Sequence, residues 1–480
     1  MTVYPLIKKV GLFAGPLLFL VLVNLPFVMV SEIADKVISV AVWMIIWWIT
    51  EAVSISVTAL IPLVLFPLVG ILDIKTVSQS YGSHIVFLFF GGFVMALALE
   101  KVNLHKRIAL SIIKITGTSP NRVILGFMIA TAFLSMWISN TACTVVMLPI
   151  ALSVIQLLIN DEDGFTKNDR NFALSIMLGI AFSANVGGVA TIIGTPPNSV
   201  LVGFLETEYQ IEISFLNWML LAFPFSVMMI GVIYFVIVKW IYPNRISGFT
   251  ASRNVIDEEL KKLGKITKIE RRVLTIFSVV IFLWITRTTI NNFFPGLNLS
   301  DTGISMMGAF ALFVIPFKLN KGEFTLDWKD TQKLPWGILI LFGGGLALAS
   351  GLSHAGLIEL VADNIAANKG LSLLIVALLL IVFMLFMTEL MSNVALVSIF
   401  VPVVAGIALG LKISMLHLLI PVTMASSCAF MLPMATPPNA IVFASGYVKV
   451  SEMVKVGVIL NIISVLLLLL LFKFYVSLIF

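Results

Sequence analysis

Twice in this chain a Thr-Pro-Pro-Asn tetrapeptide stands inside an otherwise apolar run: IIGTPPNSVLV at 192–202 and PMATPPNAIVF at 433–443. Each proline removes a backbone donor and clashes with the carbonyl four residues back, so a continuous helix through either run is excluded. The surroundings sharpen the problem. Of 480 residues, 60% are hydrophobic and 11% charged, a balance that belongs to integral membrane proteins rather than soluble ones. In hydrocarbon a broken helix is tolerated only where protein buries it or where it lines a cavity.

A second pair of interruptions accompanies the first. Ser139-Asn140-Thr141 breaks the apolar stretch 122–158, and Ser392-Asn393 breaks 371–412, an offset of 253 residues. FGG at 90–92 recurs at 342–344, an offset of 252, and the TPPN runs lie 241 apart. Three landmarks in one order at nearly one spacing identify an internal duplication.

Charge gives the duplication a direction. Residues 244–272 hold eight Lys or Arg (Arg245, Arg253, Lys261, Lys262, Lys265, Lys268, Arg271, Arg272) against four acids, while ETEYQIE at 206–212 holds three glutamates and no base. The first segment is expected in the cytoplasm and the second outside. Counting spans back puts Lys8 and Lys9 inside, with a cytoplasmic N-terminus, provided that 122–158 enters and leaves on one side. This favours a re-entrant hairpin over an ordinary span with a polar patch. Lys318, Lys321, Lys329 and Lys333 place the segment before 335 inside, so the second hairpin enters from outside. Like units of opposite topology form an inverted repeat, a construction of secondary transporters whose sites lie near the bilayer midplane at discontinuous helices.

The expected organisation is all-α and polytopic. An N-terminal span (1–35) precedes a first repeat (36–243) with hairpin 122–158 and broken helix 171–205. A cytoplasmic basic linker (244–268) leads to a second repeat (269–480) with hairpin 371–412 and broken helix 414–446. Breaks are expected at 194–198 and 436–439, and a further span near 302–318. The apolar run near the N-terminus is too long for a signal-peptide core and reads as a retained span.

The interruptions carry the chemistry. A broken helix frees carbonyls, hard oxygen ligands for a small cation such as Na⁺, and exposes helix N-termini that suit carboxylate or sulfate oxygens. Asn140 and Asn393 each have a carbonyl oxygen and an amide NH₂, so one side chain can face a cation and an anion together. Ser139, Thr141 and Ser392 add hydroxyls. No Arg or Lys occurs in the four interruptions, which favours cation-coupled anion transport over an arginine clamp. Glu51 and Glu389 read as acids at membrane depth, functional by default. A helix-orienting hydrogen bond is an equal reading for Glu389, and an interfacial position beside Trp47 and Trp48 for Glu51. Cys143 and Cys428 read as packing residues. Four scattered histidines, without HExxH or CxxC, offer no metal centre. The net charge of +6 gathers at span ends and is not a nucleic-acid signal.

These paired SN tips and TPPN loops, together with WWITEAVSISVTALIPLVLFPLVGIL (47–72), resemble the divalent-anion:sodium symporter family over nearly the whole chain. The resemblance implies a homodimer in the cell (inner) membrane, about eleven spans plus two re-entrant hairpins, and a transport domain that moves as an elevator against a scaffold. It implies a C4-dicarboxylate of the succinate, malate and fumarate class as substrate, Na⁺ as coupling ion, and no enzyme activity. A first sodium site would use Ser135, Ser139, Asn140 and Gly194. A second would use Thr388, Met391 through its backbone carbonyl, Asn393 and Ala435. Substrate oxygens would meet Asn140, Thr141, Thr195, Ser392, Asn393, Thr436 and Pro437. Two departures stand out: Val394 where the repeat would have a third Thr, and Ser54 where the family often has proline. Val394 either faces the anion or packs against a neighbouring helix. Rival readings are a sodium-independent dicarboxylate exchanger, a citrate or sulfate symporter, an anion channel and an intramembrane enzyme. For the enzyme, the sequence offers no catalytic dyad at depth.

Overall fold

A backbone placed in lipid must satisfy its N–H and C=O groups internally, and here it does so almost entirely as helix. The computed structural model describes residues 5–25, 31–117, 119–159, 165–246, 251–318, 322–367 and 372–480, with 157–159 and 251–254 described by backbone alone. Among the described residues, eight helical stretches are long and apolar enough to cross a membrane: Glu32–Thr50, Ile74–Lys101, Lys167–Val189, Phe215–Ile241, Lys268–Phe293, Trp336–His354, Asn393–Gly410 and Val450–Ile479. Shorter apolar helices complete the bundle, including Ile55–Leu68, Pro120–Ser135 and Asp301–Val314. The N-terminal helix Leu6–Leu22 packs along Glu32–Thr50, where Trp47 Nε1 donates to the Gly11 carbonyl at 3.1 Å.

The duplication is visible in the architecture. Helices Pro120–Ser135 and Asn140–Ile159 form a first hairpin, and Leu373–Met387 with Asn393–Gly410 form a second. Both arms of each hairpin pack on the helix that follows it, Lys167–Val189 and Met415–Ala425 respectively. The final helix of each half, Phe215–Tyr234 and Val450–Leu470, closes in a widened π-type turn, at Phe235–Ile241 and Leu471–Tyr475. The halves also interlock. The second arm of the first hairpin packs on Pro437–Ala444, and the second arm of the second hairpin packs on Pro196–Tyr209.

Several expectations need correction. The breaks lie mostly before the TPPN motifs and end on their threonines, ahead of the prolines: helices stop at Val189 and Ala425 and restart at Pro196 and Pro437. Proline is preorganised for the first helical turn, where its missing N–H costs nothing, so the prolines open the second half-helices. The span expected near 302–318 ends at Val314, because Pro316 disfavours helix at Ile315 (ψ 108°). Pro316–Lys318 then pairs antiparallel with Glu323–Phe324, a two-stranded ribbon in an otherwise helical chain. Lys321 and the first part of the 161–170 loop, through residue 164, lie outside the described residues, as do residues 1–4, 26–30, 247–250 and 371 of the expected segments.

Much of the linker is structured. Helix Ala251–Leu263 lies against Leu104–Thr116, tied by Lys106 Nζ to Glu259 at 2.8 Å and Lys114 Nζ to Asp257 at 2.7 Å. Lys106 and Lys262 beside Glu259 hold its carboxyl below the usual carboxylate range. Glu51 is exposed at a left-handed helix end (φ 45°) and pairs with Lys8 at 3.3 Å, so it is not an acid in the protein core.

Candidate cation and anion sites at the interrupted motifs

The first hairpin turns through Met136, Trp137 and Ile138, all buried, so irregular backbone at the tip is shielded by protein. Ser135, fully buried, ends the first arm. Its Oγ donates to Asn140 Oδ1 at 2.5 Å and to the Ala184 carbonyl at 2.7 Å. Two glycines bring further oxygens in. A Cβ built on Gly194 would lie 2.4 Å from the Gly188 oxygen and 3.0 Å from the Ser135 carbonyl oxygen, and one built on Gly188 would lie 2.7 Å from Asn140 Oδ1. Four positions are thereby drawn together: Ser135, Asn140, Gly188 and Gly194.

The second hairpin repeats the arrangement 253 residues on. Thr388 Oγ1 donates to Asn393 Oδ1 at 2.6 Å and to the Ser426 carbonyl. Each cage thus has a hydroxyl at the end of one arm, an asparagine at the start of the next, and a carbonyl from the partnering helix. All these donors are neutral oxygens. Among the described residues no group of three or more His, Cys, Asp or Glu could hold a metal ion. The set therefore fits a hard monovalent cation such as Na⁺ and not a transition metal.

The carbonyls freed by the breaks are largely claimed by side chains. Asn198 Nδ2 donates to the carbonyls of Val189 (3.2 Å) and Thr191 (2.8 Å), and Ser199 Oγ to that of Ile192 (3.0 Å). Trp218 Nε1 donates to Val189 at 3.0 Å. In the second break Asn439 Nδ2 donates to Ala429 and Leu432, both at 3.1 Å. Asn185, buried in the first broken helix, reaches across to Ala429 (3.2 Å), Thr436 Oγ1 (3.1 Å) and Asn439 Oδ1 (3.3 Å). Sequence reasoning assigned no task to Asn198 and Asn439, although they are the fourth residues of the two TPPN motifs. Asn185 has no repeat signature that would have revealed it.

The remaining expected positions separate by exposure. Ser139 and Thr141 are exposed, Asn140, Met391, Ser392 and Asn393 are half-buried, and Pro437 is exposed. Thr195, Ala435 and Thr436 are buried. Ser139 Oγ accepts from the Ala142 N–H at 3.2 Å, a helix cap. Exposure does not divide them by expected role: Ser139, expected at a cation, is open, and Thr195 and Thr436, expected at the anion, are closed off together with Ser135, Gly194 and Thr388. Val394 is 9% exposed and joins the apolar core, unlike its repeat mate Thr141. Val394→Thr would bury a hydroxyl, at a cost of about 1–3 kcal/mol if it finds no partner. The expected result is a lower melting temperature with an unchanged competition profile among succinate, citrate and sulfate. A changed profile at constant stability would return this side chain to the anion site.

Residues 8–480 match the model of the sodium:sulfate symporter transmembrane region. The chain belongs to this family. It is 38% identical to the sodium-dependent dicarboxylate transporter SdcS of Staphylococcus saprophyticus, over 98% of this chain and 91% of that protein. It is 37% identical to the transporter of the same name from Staphylococcus aureus strain USA300, over 96% and 90%. Among solved structures it resembles the YdaH transporter of Alcanivorax borkumensis (TM-score 0.60, 13% identity, 97% of this chain and 98% of that one). It also resembles MtrF of Neisseria gonorrhoeae (TM-score 0.55, 12% identity, 99% and 96%). At these identities the two structures bear on the fold alone. With the family match, this fold makes the chain a multi-pass membrane transporter.

Proposed function

We propose that this protein is a secondary transporter that carries C4-dicarboxylates of the succinate, malate and fumarate class across the cell membrane by sodium-coupled symport. The observation that carries this reading is the pair of neutral oxygen cages, Ser135 with Asn140 and Thr388 with Asn393, each placed behind an open tip. A relative 38% identical over nearly the whole chain is named a sodium-dependent dicarboxylate transporter, which favours dicarboxylate as the anion. The family model's own description, sodium:sulfate, keeps sulfate as the second reading.

In this mechanism sodium ions in the cages make the neutral tips positive, which offsets the anion's charge, and fix the two asparagines. Their amide groups, with Ser392, the Thr141, Thr195 and Thr436 hydroxyls and the backbone beside Pro437, then receive the carboxylates. Helix N-termini at Asn140, Pro196, Asn393 and Pro437 add positive dipole ends. Ser139, Met391 and Ala435 complete the proposed cation sites. The hairpins and broken helices form the moving unit of an elevator in a homodimer, with inverted repeats and a cytoplasmic N-terminus. Purified protein in proteoliposomes should take up labelled succinate steeply with an inward Na⁺ gradient. Competition by sulfate stronger than by malate would move the assignment to the second reading. Uptake that needs internal dicarboxylate but no Na⁺ would replace symport by exchange.

Helix Pro120–Ser135 has 16 residues, roughly 24 Å of rise, short of the ~30 Å hydrocarbon core. We therefore expect a re-entrant first hairpin. Cysteines introduced at Ser119 and Phe165, which flank it, should react with an impermeant maleimide from the same side of the membrane. Reaction from opposite sides would make 122–158 a true crossing.

A further inference from the structure

We infer that Asn185 is a positioning residue of the anion site: its amide reaches from the first half of the chain to the Thr436 hydroxyl and leaves that hydroxyl free only to donate to the transported anion. The inference rests on the anion-binding role proposed above for Thr436.

Asn185 is only 1% exposed and lies inside the first broken helix, Lys167–Val189. Its Nδ2 stands 3.1 Å from Thr436 Oγ1, 3.2 Å from the Ala429 carbonyl oxygen and 3.3 Å from Asn439 Oδ1. The direction of these bonds is forced. Asn439 Nδ2 donates to the carbonyls of Ala429 and Leu432, and carbonyls only accept, so the Asn439 oxygen is the atom turned toward Asn185. Both that oxygen and the Ala429 carbonyl are acceptors, and Asn185 must therefore present its NH₂ to them. Two hydrogens serve three oxygens, of which Thr436 Oγ1 is the nearest.

A hydroxyl has two acceptor positions and one hydrogen. Thr436 Oγ1 accepts from Asn185 Nδ2 and, as the cap of helix Pro437–Ala444, from the Asn439 N–H at 3.4 Å. What remains is the O–H, and among the described residues nothing accepts its hydrogen. A donor already aimed suits a carboxylate or sulfate oxygen. Other donors of this break are engaged: the Phe430, Met431 and Leu432 N–H groups are held by the Glu389 side chain at 2.8, 2.9 and 3.0 Å.

The first half lacks the device. Ser426 stands 241 residues after Asn185, and its hydroxyl turns back to the Thr423 carbonyl at 2.7 Å. Thr195 makes no side-chain cap to its half-helix. One threonine thus meets the anion with its donor aimed, and the other with a hydroxyl free to rotate. Asn185 Oδ1 is itself buried without a partner among the described residues, and a buried polar atom left so calls for a reason. Aiming Thr436 supplies one.

The test is a double-mutant cycle read by labelled succinate uptake in proteoliposomes over a grid of Na⁺ and succinate concentrations. Asn185→Ser installs the residue of the repeat position, too short to reach Thr436, and Asn185→Ala takes its place if that protein does not fold. Either should raise the half-saturating succinate concentration about tenfold, the scale of one hydrogen bond to a charged group, and leave the Na⁺ dependence in place. In a Thr436→Val background the same change should raise it no further, because no hydroxyl is left to aim. In a Thr436→Ser background, which keeps the hydroxyl, the tenfold effect should return. Equal factors in all three backgrounds, or a lowered melting temperature with unchanged succinate half-saturation, would make Asn185 structural only and overturn the inference. A Thr436→Val protein with wild-type half-saturation would remove Thr436 from the anion site, and the inference with it.

Discussion

Replacing Asn140 or Asn393 with alanine is expected to raise the half-saturating concentrations of both Na⁺ and dicarboxylate by ten- to hundredfold. Asn140 Oδ1 already accepts the Ser135 hydroxyl at 2.5 Å, and Asn393 Oδ1 the Thr388 hydroxyl at 2.6 Å. Each oxygen is thus fixed on the cation side, which leaves the amide NH₂ of the same residue for the anion. Alanine removes both functions, while Ser135 and Thr388 keep only their backbone acceptors, Ala184 and Ser426; losing hydrogen bonds and oxygen contacts to charged ligands costs about 1.5–3 kcal/mol, or roughly one to two decades in affinity. Because one side chain serves both ligands, the two dependences should shift together. Initial rates of labelled succinate uptake, measured over a grid of Na⁺ and succinate concentrations, test this. If the succinate curve alone moves while the Na⁺ curve stays in place, the asparagines are anion ligands only.

The duplicated landmarks were legible because each involves a residue that lipid does not tolerate by accident. A Pro-Pro pair, an exposed-amide Asn and a Gly pair all demand protein cover at membrane depth, so their positions announced both hairpins and both broken helices. Their exact geometry was less legible. Proline stops a helix when it lies inside and starts one when it lies at the first turn, and only the three-dimensional path shows which. Hence the breaks fall at 190–195 and 426–436 rather than on the prolines. Glu51 is a related case. Its apolar surroundings allowed an immersed reading beside the interfacial one that Trp47 and Trp48 favoured, and a left-handed turn after Thr50 ends the helix and turns the exposed carboxylate toward Lys8. Ala184 and Ser426 could not have been found at all. They contribute through backbone carbonyls, and any side chain can stand on such a residue. Gly188 is a partial exception, since a glycine pair in a packed helix hints at close approach without saying to what.

Gly194→Ala is expected to cripple transport, with Na⁺-dependent uptake falling by more than a hundredfold, beyond about 2.7 kcal/mol in transport free energy. The added Cβ would sit 2.4 Å from the Gly188 oxygen and 3.0 Å from both the Gly188 Cα and the Ser135 oxygen. All three are backbone atoms, so no rotamer change can relieve the overlap. Either the break or the hairpin tip must move, and each carries oxygens of the first cage. Overpacking of this kind costs about 1–3 kcal/mol in stability, a smaller effect than loss of a defined ion site. The matched control is Gly92→Ala, in the FGG motif of helix His84–Lys101. There the nearest atoms are the Ile193 Cδ1 and Cγ2 at 3.5 Å, an ordinary contact with a flexible side chain, and alanine favours helix over glycine by about 1 kcal/mol. Gly92→Ala should transport normally and melt at or slightly above the wild type. Paired uptake and melting measurements on both variants decide the matter. If Gly194→Ala keeps a wild-type Na⁺ dependence while only its melting point falls, Gly194 is a packing position and the first cage must be built from other oxygens.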